Sequence, residues 1–206
     1  MRLSYIAFKS FVDRVFALLA LVLLSPLLLL VSLILYCYMG APILFVQQRS
    51  GLHGRPFNLF KFRTMTLECD SHKVPLPDIY RLTPLGSWLR KTSIDELPGL
   101  INVLRGEMSL IGPRPLLTTY LPLYSSEQAR RHCVRPGITG LAQIKGRNSI
   151  SWEEKFRFDT WYVDHQSFLL DLWIGFTTIF KVLSSEGITP SSDISMPYFR
   201  GNVHDE

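Results

Sequence analysis

The longest apolar stretch of the chain covers residues 15–39, where 25 consecutive positions carry no charged side chain. As one straight helix it would be about 37 Å long, enough to cross a hydrocarbon core of roughly 30 Å. Ser25-Pro26 lies near its centre, and a central proline removes a helix hydrogen bond, so the pattern predicts a break there. The hydroxyl of Ser25 can satisfy a backbone group that the break leaves open.

Basic residues flank the apolar stretch on both sides, with a single acid among them before Glu68. They are Arg2, Lys9 and Arg14 with Asp13 before the stretch, and Arg49, Arg55, Lys61 and Arg63 after it. A helix that spans a membrane normally has its Lys/Arg excess only on the cytoplasmic side. From the residues alone, two interpretations stay open: a single span with a weak orientation signal, or a bent hairpin that returns both ends to the cytoplasm.

Two short strands, residues 43–46 and 56–63, are predicted on either side of a turn at residues 51–54. In the second strand, Lys61 shares one face with Leu59 and Arg63, and the aromatic residues Phe60 and Phe62 share the other. Cations opposite aromatics fit an element that faces a membrane surface or an anion. A solvated edge strand fits the same pattern.

Two helices are predicted further along the chain. Residues 95–105 place apolar side chains at i, i+3, i+4 and i+7, and Gly106 follows as a stop signal. Residues 168–183 are rich in aromatic and apolar side chains, which favours a helix that lies in the plane of the membrane interface over a helix in the core. The chain is therefore predicted to be one domain with an N-terminal membrane element.

The composition outside the apolar stretch is that of an ordinary globular protein. The chain has 206 residues, 19% of them charged, and a formal net charge of +5. A wholly soluble protein, a disordered chain and a multi-span transporter are disfavoured. Three cysteines without a CxxC pair and five histidines without an HExxH pattern argue against a disulfide framework or a zinc site. The modest positive charge does not indicate nucleic acid, since a membrane also offers an anionic partner.

Asp95-Glu96 is the first candidate for chemistry. Ser93 stands two positions before Asp95, and the pattern Ser-Ile-Asp-Glu alone favours a capping box in which Ser93 caps the helix and Glu96 reaches back. The functional interpretation is that a helix N-terminus favours a carboxylate anion. An ionised aspartate can attack phosphorus, and two acids can hold Mg²⁺ against a diphosphate.

Arg114 is the second candidate, because Gly-Pro-Arg-Pro fixes the backbone on both sides of it and a rigid guanidinium suits a phosphate. A rigid turn with a solvent-facing arginine is the alternative. Residues 135–143, followed by Arg147 and Asn148, indicate an anion-cradling loop. This loop is neither a Walker A motif nor a dinucleotide fingerprint, because the required spacings are absent.

Four motifs occur in order along nearly the whole chain: FKFRTM at residues 60–65, SIDELP at 93–98, NVLRGEMSLIGPRP at 102–115 and RPGITGLAQ at 135–143. Together they resemble the bacterial sugar transferase family, whose members are monotopic phosphoglycosyl transferases. The resemblance implies an α+β, helix-rich fold of one domain with surface-lying amphipathic helices. It also implies that Ser25-Pro26 breaks a re-entrant membrane helix hairpin. The expected division is residues 1–42 for that helix and 43–206 for a cytosolic catalytic domain that rests on the membrane.

The same resemblance implies the reaction and its site. A UDP-sugar would donate a sugar 1-phosphate to undecaprenyl phosphate and release UMP at the cytoplasmic face of the bacterial inner membrane. Asp95 would form a covalent phosphosugar intermediate, and Glu96 would share Mg²⁺ with it. The remaining phosphate contacts are expected from four basic residues, Lys61, Arg90, Arg114 and Arg147.

The resemblance is strongest to small family members of Campylobacter-type bacteria. The expected donor is therefore UDP-N,N'-diacetylbacillosamine or a related amino sugar. The product would enter glycoconjugate assembly and pass to downstream glycosyltransferases.

Two other function classes fit parts of the sequence. A membrane-anchored scaffold would use its arginines only for anionic lipids, and it would be indifferent to substitution of Asp95. A glycosyltransferase that moves the sugar without its phosphate would release UDP rather than UMP.

Overall fold

The computed structural model describes residues 2–146, 149–183 and 197–202, and it shows a helix-rich single domain with two small sheets. The α-helices are α1 (Arg2–Leu23), α2 (Ser25–Met39), α3 (Asp78–Arg81), α4 (Pro84–Lys91), α5 (Leu100–Leu104), α6 (Ser126–Ala129), α7 (Leu141–Lys145), α8 (Trp152–His165) and α9 (Phe168–Leu183). The strands are β1 (Leu44–Ser50), β2 (Pro56–Phe62), β3 (Ser109–Ile111) and β4 (Gly137–Thr139). Short 3₁₀ helices lie at Leu52–Gly54, Ile94–Gly99, Thr118–Leu123 and Arg130–Cys133.

The predicted break at Ser25-Pro26 is confirmed. α1 ends at Leu23, and α2 begins at Ser25 with its axis bent by 62°. Pro26 lies in the first turn of α2, where an N–H group has no partner within the helix. The hydroxyl of Ser25 donates a hydrogen bond to the carbonyl of Val22 at 2.8 Å, as expected at an open turn. Within the described residues, no single helix is long and apolar enough to cross a membrane, whereas the bent pair passes that test when its two arms are combined.

Both arms of the bent pair also pack against the rest of the domain. Ala17 of α1 is fully buried in a core with Leu100 and Val103 of α5. In α2, Leu35 is buried with Leu89 of α4. The apolar segment and the remainder of the chain therefore share their hydrophobic cores, which is the packing of one domain.

The predicted hairpin of two strands is confirmed. β1 and β2 pair antiparallel from Leu44↔Phe62 to Ser50↔Pro56, around a turn at residues 51–55. The observed β2 ends one residue earlier than predicted. Arg63 then donates hydrogen bonds to the carbonyls of Met39 and Gly40 at 2.5 and 2.8 Å. A buried guanidinium at the C-terminal end of α2 meets carbonyls that lack partners within the helix, so it ties the hairpin to that helix.

The predicted helix over residues 95–105 is only partly correct. Its first half is the 3₁₀ helix Ile94–Gly99, its second half is α5, and the expected stop occurs at Gly106 with φ of 78°. Beyond it, β3 and β4 pair in parallel. Gly112 and Gly137 approach so closely there that a Cβ on either one would collide with the backbone of the other. This contact places the turn around Arg114 beside β4.

The predicted helix over residues 168–183 is confirmed as α9. Ile174 is fully buried against the core, so one face of α9 packs on the domain. The other face is apolar and exposed, and it consists of Phe168, Leu169, Leu172, Trp173, Phe176, Ile179 and Phe180. Phe168 also contacts Phe8 of α1, with 6.4 Å between the ring centroids. A helix enclosed in the core is excluded, and exposed apolar side chains of α1 and α9 meet at Phe8 and Phe168.

Candidate active site

Asp95 and Glu96 lie in the first turn of the 3₁₀ helix Ile94–Gly99. The capping box that the pattern favours does not form, because Ser93 adopts a left-handed conformation with φ of 56° and its side chain caps nothing. Glu96 meets Ser93 only through the backbone, where its N–H donates to the Ser93 carbonyl at 3.2 Å. Both carboxylates are therefore available for other contacts.

Glu96 is held as an anion between two cations. Its Oε1 accepts hydrogen bonds from Nζ of Lys61 at 2.6 Å and from a terminal guanidinium nitrogen of Arg114 at 2.8 Å. Burial alone would raise the pKa of Glu96, but the charges of Arg114 and Lys61 outweigh it and keep that pKa well below its usual range. Glu96 therefore joins β2 to the turn that carries Arg114, and its Oε2 has no partner among the described residues.

Asp95 has the opposite environment. Its side chain is buried, with an exposed fraction of 7%, and no side chain in the described part of the chain donates a hydrogen bond to it. Burial, and then the negative charge of Glu96, raise the pKa of Asp95 to about 6, although Lys61, Arg114 and Arg90 act in the other direction. Adjacent carboxyl groups whose pKa values are pushed apart are typical of catalytic pairs.

An open cleft of about 370 Å³ reaches Glu96 of this pair, whereas Asp95 is not among the lining residues in the described part of the chain. It is lined by Arg49, Leu59, Phe60, Lys61, Glu96, Gly99, Met108, Arg114, Pro115, Gly137 and Ile138. Three of these residues are cations and one is an acid. The excess of positive charge favours an anionic ligand with more than one charge.

The turn around Arg114 is fixed from outside the motif. A terminal guanidinium nitrogen of Arg131 donates to the Arg114 carbonyl at 2.7 Å, and the buried carboxylate of Asp159 accepts two hydrogen bonds from the same arginine, at 2.7 and 3.1 Å. The Arg114 side chain, 47% exposed, then reaches Glu96. The alternative of an arginine that only faces solvent is therefore wrong.

The remaining predicted residues differ in their placement. Arg90 is exposed on α4, where its Nε donates to Oγ1 of Thr64 at 3.0 Å, and its charge acts on Asp95 although it does not line the cleft. In the third motif, Nε of Arg135 donates to the Gly106 carbonyl at 2.8 Å, so that arginine holds the end of α5. Arg147 lies outside the described residues, as does Asn148.

Four residues of this site are not among the candidates that the sequence predicts. Asn102 is fully buried, and its amide accepts from the N–H of Phe60 and donates to the Asn58 carbonyl, which fixes β2 beside Lys61. Its position inside the motif of residues 102–115 is a usable signal. For Asp159 the signal is an acid three residues after Phe156, on the inward face of α8. Nothing in the sequence distinguishes Arg49 or Arg131 from surface arginines.

The carboxylates of this site fit a magnesium ion. No group of three His, Cys, Asp or Glu side chains forms a metal site among the described residues. Mg²⁺, however, is usually held by one or two carboxylates, with phosphates and water as its other ligands. The Asp95 carboxylate and Oε2 of Glu96 have no other partner in the described part of the chain, so they supply such a pair.

Comparison with known proteins gives a consistent result. The family model for "Bacterial sugar transferase" matches residues 4–185. The uncharacterized sugar transferase EpsL of Bacillus subtilis is 60% identical over 163 residues, which are 79% of this chain and 81% of the relative. The UDP-glucose:undecaprenyl-phosphate glucose-1-phosphate transferase of Klebsiella pneumoniae is 39% identical over 84% of this chain and 40% of its own length. The undecaprenyl-phosphate galactose phosphotransferase of Salmonella typhimurium is 36% identical over 72% of this chain and 35% of its own length.

Proposed function

The chain belongs to the bacterial sugar transferase family, and we propose that it transfers a sugar 1-phosphate from a UDP-sugar to undecaprenyl phosphate and releases UMP. It is a transferase of phosphorus-containing groups. The observation that carries the proposal is the environment of Asp95. This carboxylate is buried, has no hydrogen-bond donor in the described part of the chain, and directly precedes Glu96, which lines a cleft with excess positive charge. The relatives from Klebsiella and Salmonella are named for the same type of reaction with glucose and galactose.

Asp95 would act as the nucleophile in two successive phosphoryl transfers. Its carboxylate attacks the sugar-bearing phosphorus, the bond to the bridging oxygen breaks, and UMP leaves with the electron pair. An oxygen of undecaprenyl phosphate then attacks the same phosphorus and releases the Asp95 carboxylate. With a pKa of about 6, Asp95 is mostly ionised at neutral pH, yet it remains basic enough to be a better nucleophile than an ordinary carboxylate.

The neighbouring residues would bind and orient the phosphates. Lys61 and Arg114 offer charge-assisted hydrogen bonds from two sides of the cleft, while Glu96 keeps both in place. Arg90, whose charge acts on Asp95 although it does not line the cleft, would meet the acceptor phosphate. Arg147 remains the fourth predicted phosphate contact.

Asp95 and Glu96 would hold Mg²⁺, which would offset the charge of the diphosphate and favour the ionised form of Asp95. Glu96 would then have two tasks: its Oε1 anchors Lys61 and Arg114, and its other oxygen would help to hold the metal.

We further propose that the protein is monotopic at the cytoplasmic face of the inner membrane. The bent pair α1–α2 would enter the bilayer without crossing it, and the exposed apolar face of α9 would lie on its surface. Basic residues on both sides of the apolar stretch agree with two cytoplasmic ends. The undecaprenyl phosphate would then reach Asp95 from the membrane.

The donor sugar is proposed to be N,N'-diacetylbacillosamine or a related amino sugar. The decisive experiment measures UMP release by the purified protein with undecaprenyl phosphate and a panel of UDP-sugars that includes UDP-glucose, UDP-galactose and UDP-N,N'-diacetylbacillosamine. Release of UMP with one of these donors is expected, together with a polyprenyl diphosphate sugar. Release of UDP would instead indicate a glycosyltransferase, and lipid binding without turnover would indicate a scaffold.

A further inference from the structure

We propose that Arg49, which no sequence motif singles out, binds the leaving phosphate of the donor nucleotide in the first half-reaction. Its ligand class is the 5′-phosphate of a nucleoside monophosphate. The inference rests on the proposed function, because it requires a UDP-sugar in the cleft. Arg49 would contact the phosphate that leaves as part of UMP, on the side away from the attacking Asp95 carboxylate.

The backbone of Arg49 is fixed at the wall of the cleft. In the hairpin it pairs with Phe57, and on its other side it forms an antiparallel bridge with Leu117, three residues after Arg114. The hydroxyl and the N–H of the next residue, Ser50, both donate to the carbonyl of Leu116. The Arg49 side chain is therefore presented from a rigid junction between β1 and the segment that follows Arg114.

The guanidinium of Arg49 is half-buried and pairs with no acid among the residues that the structure describes. One terminal nitrogen donates to the side-chain oxygen of Gln47 at 2.5 Å, whereas its buried Nε has no hydrogen-bond partner. No carboxylate in the described part of the chain pairs with it, since Glu96 is occupied by Lys61 and Arg114. Burial, and then the charge of Arg114, lower the pKa of Arg49 to about 10, so it is still protonated at neutral pH.

Such an arrangement of Arg49 and Arg114 is by itself unfavourable for the folded protein. A buried donor without an acceptor and two neighbouring guanidinium groups both destabilise the folded protein, and a bound anion would relieve both. A phosphate can accept from the open Nε of Arg49 and place its negative charge between Arg49 and Arg114. Arg49 and Arg114 therefore favour binding of an anionic ligand and do not stabilise the fold by themselves.

Arg49 and Asp95 differ in their relation to the cleft. Arg49 lines it together with Glu96 and Arg114, whereas Asp95 and Arg90 are not among its lining residues in the described part of the chain. Asp95 directly precedes Glu96, so it would approach a bound phosphate from beside the Glu96–Arg114 ion pair. A ligand would therefore meet Arg49 from within the cleft and Asp95 from outside the lining that carries Arg49.

The direction of the displacement assigns the cleft, with Arg49 in its wall, to the leaving group. As Asp95 attacks, the attacking and leaving oxygens lie on opposite sides of the phosphorus, so UMP departs on the side away from Asp95. The bridging oxygen keeps the electron pair, and the departing phosphate gains one negative charge. A guanidinium that is already in place stabilises this charge as it develops.

The experiment separates the two half-reactions in Arg49→Gln and Arg49→Lys, using the UDP-sugar that gives the fastest UMP release. Enzyme and donor are mixed without lipid, and the mass of the phosphosugar on the peptide that contains Asp95 is followed over time. The isolated adduct is then mixed with undecaprenyl phosphate, and its decay is followed. UMP is added to the first reaction as an inhibitor.

Arg49→Gln should slow adduct formation about tenfold or more and raise the inhibitory concentration of UMP by a similar factor. Decay of the adduct should stay within about twofold of the wild type, because UMP has left before the lipid attacks. Arg49→Lys keeps the charge in the cleft wall without the fork of donors, so the same pattern with a smaller effect is expected. The matched control is Arg55→Gln, which removes an exposed charge from the turn of the same hairpin and should change neither half-reaction.

Equal slowing of both half-reactions in the two Arg49 variants would overturn the inference, because Arg49 would then act only through the structure of the cleft. Unchanged adduct formation and unchanged inhibition by UMP would overturn it as well. A wild-type enzyme that forms no adduct and releases no UMP with any donor would refute the proposed function itself, a result distinct from any behaviour of the variants.

Discussion

Two clusters of buried polar groups, one under α1 and one at the cleft, use similar residues in opposite ways. In the anchor cluster, defined by Tyr5, Lys9, Asp13, Tyr162 and Asp171, every carboxylate has donors. Asp171 accepts from the hydroxyls of Tyr5 and Tyr162, both at 2.7 Å, and pairs with Lys9 at 2.6 Å. This saturated network attaches α1 to α8 and α9.

The cleft leaves several of its buried groups open. Asp95 has no donor, Nε of Arg49 has no acceptor, and Oε2 of Glu96 has no partner among the described residues. A buried polar group with partners supports the fold, whereas one without partners costs stability and is retained where a ligand completes it. The contrast between the two clusters distinguishes structural polar residues from those that are proposed to bind substrate.

The largest expected effect is the loss of chemistry in Asp95→Asn. Asparagine keeps the shape of the side chain but lacks the anion that attacks phosphorus, so turnover should fall by about 10³-fold or more, and no adduct should form. Mass spectrometry of enzyme incubated with donor alone measures the adduct, and UMP release measures turnover. An adduct in Asp95→Asn would place the nucleophile on another residue.

Arg114→Lys tests the cation that both pairs with Glu96 and faces the cleft. Lysine keeps the charge but offers a single point contact in place of a planar fork, so kcat/KM should fall about 10–100-fold. The fold should persist, because Arg131 holds the backbone at Arg114 rather than its side chain. Normal activity with lysine at this position, measured by UMP release, would contradict a role for the guanidinium.

Asp171→Asn tests the anchor cluster, where stability rather than chemistry should change. The substitution leaves Lys9 with only Asp13, at 3.5 Å, and weakens two tyrosine contacts. Removing one partner of a buried ion pair typically costs about 3–5 kcal/mol, so Tm in detergent should fall by roughly 5–15 °C. Adduct formation at a temperature where the variant is folded should stay near the wild-type rate, and its loss there would mean that the two clusters are not separate in function.

The parts of the fold that were predictable from sequence depend on local rules. The break at Ser25-Pro26, the hairpin of β1 and β2, and the end of α5 at Gly106 each follow from the chemistry of one or two residues. The capping box at Ser93 was wrong because long-range contacts decide that site: Glu96 is drawn to Lys61 and Arg114, and neither lies near it in the sequence.

The candidate site was predictable only where a motif marks it. Asp95, Glu96 and Arg114 stand in recognisable motifs. Arg49 and Arg131 acquire their positions from a bridge to Leu117 and from burial against Asp159, which no periodicity reveals. Composition cannot show that a cation lacks a partner, since this property depends on every neighbour in the folded chain.

The smallest expected effect is a difference in stability that depends on pH and has opposite signs in the two clusters. Because folding raises the pKa of Asp95 from 3.8 to about 6, the folded state binds this proton more tightly than the unfolded chain does, and ionisation destabilises the fold as the pH rises through that window. Asparagine resembles the protonated acid. Asp95→Asn should therefore nearly match the wild type below about pH 4 and be more stable above about pH 6, by roughly 2–3 kcal/mol.

Mg²⁺ sharpens this prediction, because it binds a carboxylate and not an amide. At pH 7 without Mg²⁺, the Tm of Asp95→Asn should be higher than that of the wild type. The difference between the two Tm values should become smaller when Mg²⁺ is added. The Tm of Asp171→Asn at pH 7 should be lower than that of the wild type, with or without Mg²⁺. The reason is that the wild-type Asp171 carboxylate already has Tyr5, Lys9 and Tyr162 as partners. If the Tm of Asp95→Asn is also lower than that of the wild type, the Asp95 carboxylate stabilises the fold as Asp171 does. The contrast between the two clusters would then no longer assign Asp95 to substrate binding.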